Sequence, residues 1–478
     1  MAFVLMISVF AACTENAVTT DTEQTEASTE KSTDKSDSKR INNIAIDEYT
    51  IVYSAEDHDY SQRAAAYIQE QIKTYTGAEI EVSLDTAGTF DHEIVVGETS
   101  REISETLNAD TEGVEFAIYA NDSHIAMEGD YFVIAAAAYF FVETYVATET
   151  FDTQIPKEVS IHQPIVKEAK NFILLIGDGM GFNQTLLFNA NDAATTGDKD
   201  YSDGEDFFYG YMLPYQGKSN TTSLTGVTDS AAGGTALSTG YKTNNNYVGK
   251  DKDKNDIQSL TELAGSKGMA TAVLSTDSAT GATPAAFSAH THNRHNSDAI
   301  KASQSELQAK YNTIIECGNV KYNKLQILSL EKRITETLNT LSQNENGFFM
   351  MYEEAHIDKA CHSSDMGDAF NAVVRFNQAI AIFMEYAFYN PDTLVIITAD
   401  HETGGLTISE NGDFSFTSVE NSEGYRNHTG VNVPVFAYGM GTEMFNDTVV
   451  ENVQIAKQIA KLMGEDEFGG PIDINDYS

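Results

Sequence analysis

The sequence Asn-Phe-Ile-Leu-Leu-Ile-Gly-Asp-Gly-Met-Gly-Phe, residues 171–182, decides the fold of this chain. Its five apolar residues, Phe172 to Ile176, are too few to cross a membrane. The run predicts a central strand of a parallel sheet, covered on both faces. The strand leads to Asp178, between Gly177 and Gly179. Ligands of open α/β sheets bind at the carboxyl ends of strands, so Asp178 is a candidate site residue. Taken alone, it could equally be a solvated side chain in a glycine-rich turn.

The charge balance of the chain limits its partners. Its 478 residues include 29 Lys plus Arg against 72 Asp plus Glu, which gives a formal net charge of -43. Such a surface repels nucleic acid and anionic lipid and attracts divalent cations. An anionic substrate therefore needs a locally built site. The length allows two or three domains, each with its own core.

The N-terminus predicts export. Residues 1–13 resemble the end of a bacterial lipoprotein signal peptide, with Cys13 as the lipidated residue; an ordinary cleaved secretory signal is the alternative. Residues 14–40 are too poor in apolar side chains to fold and predict a disordered tether. We therefore expect an exported protein with a lipid anchor, in the periplasm or on the bacterial cell surface. Only Cys317 and Cys361 remain, so no disulfide framework is predicted.

Residues 41–167 predict a small α/β domain. Their order of elements resembles the non-catalytic α/β domain that precedes the catalytic barrel in some glycoside hydrolases, such as hexosaminidases and α-glucuronidases. That resemblance implies a supporting role near carbohydrate, and it leaves a surface glycan open as a partner. The predicted elements are strands at Tyr49–Tyr53 and Glu93–Val96, a helix that stops at Gly77, a hairpin of Val114–Tyr119 with His124–Met127, and a helix from Tyr131 to Tyr145.

A serine follows the first strand of the second domain. Residues 228–236 read Thr-Asp-Ser-Ala-Ala-Gly-Gly-Thr-Ala and predict a helix that opens directly behind Ser230. The N–H groups and the dipole of that helix would face an incoming anion. Ser230 is either a nucleophile or an N-cap, which is the commoner role. No histidine base adjoins it in the sequence, which favours metal activation over a Ser-His-Asp triad.

Further apolar runs predict buried strands, with acidic residues and histidines close to their ends. Asp358 and His362, four residues apart, share one face if their segment is helical. Oxygen and imidazole ligands without thiolates are typical of catalytic zinc with open positions and of a harder, all-oxygen magnesium site. The strands are predicted at Met269–Leu274, Phe348–Met351, Thr393–Ile397 and Val433–Tyr438, and the candidate ligands are Glu353, Asp358, His362, Asp400, His401 and His428.

These motifs together resemble those of the alkaline phosphatases. The resemblance covers residues 168–466 and leaves 467–478 as a C-terminal tail. It implies an α/β fold with a central, mostly parallel sheet flanked by helices, preceded here by the smaller N-terminal α/β domain. The motifs, in family order, are Gly177-Asp178-Gly179-Met180-Gly181, Asp229-Ser230-Ala231-Ala232, Thr283-Pro284-Ala285-Ala286, Asp358 to His362, Thr398-Ala399-Asp400-His401 and His428-Thr429-Gly430.

By resemblance, the protein is a metal-dependent hydrolase of small phosphate monoesters that forms a phosphoserine at Ser230. The resemblance also implies two zinc ions and one magnesium ion, and it leaves a homodimer open. Arg294 would hold the phosphate with its planar fork, and Lys359 would be a further catalytic residue. The implied ligands are Asp178, Asp400 and His401 for one zinc, Asp358, His362 and His428 for the second, and Asp178, Thr283 and Glu353 for magnesium.

Gly281 departs from the family pattern, because many bacterial members carry Asp and animal members His at this position. The resemblance then implies that magnesium keeps three protein oxygens and exchanges faster than in relatives with Asp. It also implies that Lys359 is freer to meet the phosphate directly.

Two other functions are open at the level of the sequence. Phosphodiesterases and phosphomutases of the same superfamily share the metals, although the run from Asp229 to Gly234 favours a monoesterase. A sulfatase-like Cys-x-Pro-x-Arg context is not found in the chain. The non-enzymatic alternative is a surface carbohydrate-binding lipoprotein in which the first domain matters most.

Overall fold

The computed structural model describes residues 38–55, 59–107, 110–189, 207–318, 324–420, 424 and 426–471. The predicted signal segment, lipidation at Cys13 and nearly all of the tether lie outside these ranges, as does the tail from residue 472. The described residues divide into two compact units. One contains residues up to His162 except Thr111–Glu115, and the other contains Thr111–Glu115 and the residues from Gln163 onward. No helix in the described ranges is both long and apolar enough to cross a membrane.

The first unit is a six-stranded mixed sheet in the order β4-β3-β5-β7-β6-β9, with a three-stranded sheet in the order β2-β1-β8. Its main helix buries Ala64, Ile68 and Ile72 and ends before Gly77, which has a φ of +73°. The strands, the hairpin and the first helix predicted for this region are confirmed. The helix predicted from Tyr131 to Tyr145 is α-helical only at Ile134–Phe141, with a 3-10 turn before it and a π-helical turn after it. The elements are β1 (Arg40–Ile41), β2 (Ile44–Ala45), β3 (Thr50–Tyr53), α1 (Asp59–Thr76), β4 (Glu81–Leu84), β5 (Glu93–Val96), α2 (Glu102–Leu107), β6 (Phe116–Ala120), β7 (His124–Glu128), α3 (Ile134–Phe141), β8 (Asp152–Thr153) and β9 (Ser160–His162).

The second unit is built on an eight-stranded sheet in the order β13-β12-β14-β10-β15-β20-β11-β21. Two short antiparallel pairs, β16 with β19 and β17 with β18, lie outside this sheet. The elements are β10 (Asn171–Gly177), α4 (Phe182–Thr185), β11 (Tyr215–Asn220), α5 (Ser230–Thr239), α6 (Leu260–Ser266), β12 (Ala270–Ser275), α7 (Ala282–Ala286), α8 (Ser297–Tyr311), β13 (Ile314–Cys317), α9 (Lys324–Leu341), β14 (Phe348–Glu354), α10 (His356–His362), α11 (Met366–Tyr389), β15 (Thr393–Thr398), β16 (Glu402–Thr403), β17 (Leu406–Ile408), β18 (Phe414–Phe416), β19 (His428–Thr429), β20 (Val433–Tyr438), β21 (Val449–Glu451) and α12 (Asn452–Leu462).

Strand β10 is central, as its apolar run predicts. All seven of its residues are buried, and it pairs in parallel with β14 and β15, so that Leu174 lies opposite Met351 and Ile396. Strand β12 extends the parallel set on the far side of β14. Because these four strands run in the same direction, their carboxyl ends meet at one edge of the sheet. That edge is where the candidate site residues lie.

Helices cover both faces of this sheet. On one face, Leu174 and Ile396 share a core cluster with Leu237 of α5, Leu263 of α6 and Ile459 of α12. On the other face, Tyr352 of β14 packs between two phenylalanines of α11: its ring centroid is 6.2 Å from that of Phe376 and 5.7 Å from that of Phe383. The mostly parallel sheet flanked by helices, with a smaller α/β region before it, confirms the predicted fold class.

A buried ion pair fixes the end of β14. Arg375 of α11 donates to both carboxylate oxygens of Glu354, at 2.6 Å from Nε and 2.5 Å from Nη2. Glu354 also accepts hydrogen bonds from the Thr276 hydroxyl and the His356 N–H, so it ties β14 to the residues after β12 and to the start of α10. Burial raises the pKa of Glu354, but Arg375 outweighs it and the pKa lies below its ordinary value.

We predict that Arg375→Met destabilises the second unit by about 3–5 kcal/mol, because it leaves the Glu354 carboxylate buried without its counter-charge. The free energy of unfolding, measured with urea, tests this. In the Glu354→Gln, Arg375→Met protein most of the loss should be recovered, since no charge is then stranded. Equal destabilisation in the single and double variants would show that packing, not the ion pair, carries the effect.

Candidate active site and metal centre

The turn after β10 brings three aspartates together. Asp178 is buried, and the N–H of Gly179 donates to Asp400 Oδ1 at 3.2 Å. Gly179 has a φ of +74°, which favours glycine. A side chain at this position would also collide with α10, because its Cβ would lie 2.8 Å from Asp358 Cα. The glycine therefore allows Asp178, Asp358 and Asp400 to lie together, and we call these three aspartates the carboxylate corner.

Ser230 faces this corner from the first turn of α5. Asp229 caps the helix, because its Oδ1 accepts the N–H of Ala232 at 3.0 Å. The Ser230 hydroxyl is buried and lies 3.2 Å from His401 Nε2. The sequence shows no histidine beside Ser230, but the fold supplies one from the loop after β15. His401, one of the predicted zinc ligands, is therefore the histidine that Ser230 faces.

The orientation of His401 nevertheless argues against a triad. In a Ser-His-Asp triad the serine faces Nε2 and the carboxylate holds Nδ1. Here Asp178 Oδ1 and Asp400 Oδ2 lie 3.6 Å and 3.2 Å from Nε2, the same nitrogen that faces Ser230, whereas Nδ1 lies 3.2 Å from the Thr403 hydroxyl. Both of these carboxylate oxygens are buried without a hydrogen-bond partner in the part of the chain that the structure describes. Such a donor set fits a shared cation.

A second set of donors adjoins the first. His362 Nε2 and His428 Nε2 lie 3.0 Å apart, and they lie 3.3 Å and 3.5 Å from Asp358 Oδ1. The other ring nitrogens face backbone carbonyls: His428 Nδ1 lies 2.9 Å from the oxygen of Thr228, and His362 Nδ1 contacts the oxygen of Arg426. These contacts turn both Nε2 atoms towards Asp358, as second partners do for metal-binding histidines.

Electrostatics in the corner favour cation binding. Burial, and then the neighbouring Asp358, raise the pKa of Asp400 to about 8. Burial also raises the pKa of Asp178 well above its ordinary value, with Asp400 as the next cause. The pKa of His401 is lowered well below its ordinary value by burial and by His428, so its imidazole is neutral and available as a ligand. Carboxylates that resist ionisation when alone are stabilised by a bound divalent cation.

A third group of oxygens lies beside the first set. Burial raises the pKa of Glu353, at the end of β14, to about 7, whereas the hydroxyls of Ser275 and Thr283 act to lower it. Glu353 also acts to raise the pKa of Asp178, after burial, Asp400 and Asp358. Asp178, Thr283 and Glu353 offer only oxygen atoms, the ligands that magnesium prefers.

Arg294 lies next to Ser230 and is held in place. Its Nη1 is 3.1 Å from Asp229 Oδ2. The backbone N–H of Arg294 donates to the carbonyl oxygen of Asn246 at 2.9 Å. The same Asp229 oxygen accepts the N–H of Asn246 at 3.0 Å. Arg294 also lowers the pKa of Asp178, so its charge reaches the carboxylate corner. The structure thus gathers Arg294 with the serine and the aspartates.

Lys359 is not free. Its Nζ lies 2.8 Å from Asp277 Oδ1, so the expectation that Lys359 is released by the glycine at 281 is wrong in this structure. The physical reason is that another carboxylate fills the space beside residue 281. A Cβ at Gly281 would lie 2.6 Å from Asp277 Oδ2, so the carboxylate of Asp277 occupies the space beside the glycine.

Sequence reasoning assigned no role to several residues that shape the site. Asp229 appeared only as part of a motif, but it both caps α5 and holds Arg294. Asp277 follows the end of β12, and the rule that pointed to Asp178 applies to it as well. The Thr403 hydroxyl contacts Asp358, and no local pattern in the sequence indicates this contact.

Comparison with known proteins identifies the family. A family model for alkaline phosphatase matches residues 169–328 and 319–425, which together make up more than half of the chain. The chain belongs to the alkaline phosphatase family.

Relatives and solved structures agree with this family. Alkaline phosphatase 4 of Bacillus subtilis is 31% identical over 299 residues, which cover 52% of this chain and 64% of the relative. Alkaline phosphatase 3 of the same organism is 29% identical, and the chain spans 65% of its length. The alkaline phosphatase of Escherichia coli is 28% identical, with 57% of this chain and 82% of the relative covered.

Among solved structures, the alkaline phosphatase of the Antarctic bacterium TAB5 matches with a TM-score of 0.51 and 26% identity, over 62% of this chain and 99% of that one. A variant of the TAB5 enzyme, with a histidine replaced by glutamate, has Mg bound in its M3 site and matches with a TM-score of 0.50 and 26% identity, over 63% of this chain and 99% of that one.

We predict that the metal-free protein becomes less stable as the pH rises from 5 to 8. At pH 5 the folded protein holds protons on Asp400 and Glu353, whose pKa values are about 8 and about 7, and it loses them as the pH rises, whereas the same carboxyls in the unfolded chain, with pKa values near ~4, are already ionised. The lowered pKa of His401 acts in the opposite direction only below its unfolded value near ~6.5, and it is one group against two. The unfolding temperature, measured by calorimetry with a chelator present, should therefore fall across this range, and zinc should abolish the fall. Asp400→Asn should flatten the slope. A metal-free protein whose stability is constant or rises with pH would contradict these protonation states.

Proposed function

We propose that the protein hydrolyses phosphate monoesters through a phosphoserine at Ser230, with two zinc ions and one magnesium ion. The observation that carries the proposal is the convergence on His401 Nε2 of the Ser230 hydroxyl and two buried carboxylates, beside the guanidinium of Arg294. Membership of the alkaline phosphatase family supports the same reaction.

The residues of the chain provide a two-step route. The Ser230 oxygen attacks phosphorus, its bond to phosphorus forms, and the bond to the ester oxygen breaks; the alcohol leaves with the proton that Ser230 releases. Water then attacks the phosphoserine and breaks the bond between Oγ and phosphorus, so that inorganic phosphate leaves and Ser230 regains its proton. The N–H groups at the start of α5 and the fork of Arg294 bind the phosphate oxygens throughout.

The donor sets described above would hold the three ions. Asp178, Asp400 and His401 would bind one zinc, and Asp358, His362 and His428 would bind the other. When bound, the ions supply Lewis acidity at the attacking and leaving oxygens of the displacement. The oxygens of Asp178, Thr283 and Glu353 would bind magnesium.

Two observations support a monoester over a diester. The run from Asp229 to Gly234 favours a monoesterase, and the relatives that the chain matches are named alkaline phosphatases. A phosphodiesterase or another phosphoryl hydrolase of the superfamily is the competing function, and the rates on p-nitrophenyl phosphate and on bis-p-nitrophenyl phosphate discriminate between them.

Ser230→Ala should lower kcat/KM for p-nitrophenyl phosphate by on the order of 10³-fold or more while zinc content and unfolding temperature stay close to those of the parent. Ser219→Ala, at another buried serine, is the matched control and should keep the parent rate. Acid-quenched parent enzyme should carry phosphate on Ser230 by mass spectrometry. Parent-like turnover in Ser230→Ala, together with no phosphoserine in the parent, would refute the nucleophile.

The N-terminal sequence and the first unit point to where the protein acts. We propose that the protein is exported and anchored through a lipid on Cys13, on the strength of the N-terminal sequence. We also propose that the first unit, like the glycoside hydrolase domains it resembles, supports binding near a surface glycan. Metabolic labelling with a radioactive fatty acid, lost in Cys13→Ser, tests the anchor.

A further inference from the structure

We infer that Asp277 is a positioning residue that supplies, from a different place in the chain, the carboxylate that residue 281 lacks: it holds Lys359 and adds negative charge beside the magnesium site. This inference rests on the proposed function, because that proposal assigns magnesium to Asp178, Thr283 and Glu353.

The first support is the conformation of Gly281. Its φ is -58°, a value that any residue adopts, so the backbone does not require glycine here. The obstacle to a side chain is Asp277, whose Oδ2 would lie 2.6 Å and whose Cγ 3.1 Å from a Cβ at 281. Gly281 is therefore the space into which the Asp277 carboxylate fits.

The second support is the attachment of Asp277 to the magnesium ligands. Its N–H donates to the Ser275 hydroxyl at 2.8 Å, and that hydroxyl donates to Glu353 Oε2. Strands β12 and β14 pair so that Ser275 lies opposite Glu353. A single serine thus fixes the backbone at 277 relative to the carboxylate at the end of β14.

The third support is charge. Asp277 Oδ1 lies 2.8 Å from Lys359 Nζ, and the side chain of Asp277 is 27% exposed. Because Ser275 joins the backbone of Asp277 to Glu353, this ion pair lies next to the magnesium ligand. Partners that lie behind metal ligands typically contribute about 10–100-fold to metal affinity.

Magnesium titration of the zinc-loaded protein, followed by calorimetry, tests the inference without relying on activity. Asp277→Asn keeps the shape of the side chain and removes its charge, so the magnesium Kd should rise by about 10–100-fold while zinc content is unchanged. Asp253→Asn is the matched control, because Asp253 forms an ion pair with Lys252 at 3.1 Å on the exposed surface. That variant should bind magnesium like the parent.

A double variant that moves the carboxylate from position 277 to position 281 tests whether the two positions are equivalent. In Asp277→Ser, Gly281→Asp the new carboxylate gains the space that Asp277 vacates, and tight magnesium binding should return. Gly281→Asp alone places two carboxylates in one space and should lower the unfolding temperature.

The outcomes separate this inference from the proposed function. A parent protein that binds no magnesium would refute the assigned magnesium site itself. A parent that binds magnesium, with Asp277→Asn binding it within about twofold of the same Kd, would overturn the role of Asp277 alone. An exchanged variant that binds as weakly as Asp277→Asn would contradict the replacement of position 281 by Asp277.

Discussion

The repulsion among buried carboxylates at one edge of the sheet is the constraint on which the rest of the catalytic unit depends. Asp178, Asp358 and Asp400 are all at least nine-tenths buried, and Asp400 is fully so. Like charges in a region of low dielectric are costly unless they bind protons or cations. The elevated pKa values of Asp178 and Asp400 express this cost, and the neutral His401 between them adds a ligand without adding charge. A divalent cation that binds here relieves the repulsion, so the site favours divalent ions.

The fold maintains this unfavourable arrangement through close backbone packing. Gly179 lets the turn after β10 contact α10, and Gly233 lets α5 approach the backbone of Asp400, since a Cβ at 233 would lie 2.9 Å from its oxygen. The ion pair of Arg375 with Glu354 fixes the end of the neighbouring strand. Because the parallel strands are buried on both faces, their ends cannot separate to relieve the repulsion, and bound protons or metal ions remain the means of neutralisation.

The sequence predicts the sheet and much of the site, because both follow from local patterns. The apolar run before Asp178 identifies the central strand, and the rule that ligands bind at strand ends leads directly to Asp178 and Asp400. The contact between Ser230 and His401 joins residues 171 positions apart that no periodicity connects, so only the resemblance to the family brings the two together. The role of Asp277 was missed. An absent side chain at 281 was treated as empty space, whereas in a close-packed interior a neighbouring group fills such space.

Anomalous X-ray diffraction, recorded on either side of the zinc absorption edge from crystals grown with zinc, tests the central claim most directly. The account predicts two strong zinc peaks in each molecule. One should lie among Asp178, Asp400 and His401, and the other among Asp358, His362 and His428. Crystals that contain zinc but show no anomalous density at these two places, with the carboxylates of Asp178 and Asp400 hydrogen-bonded to each other instead, would contradict it.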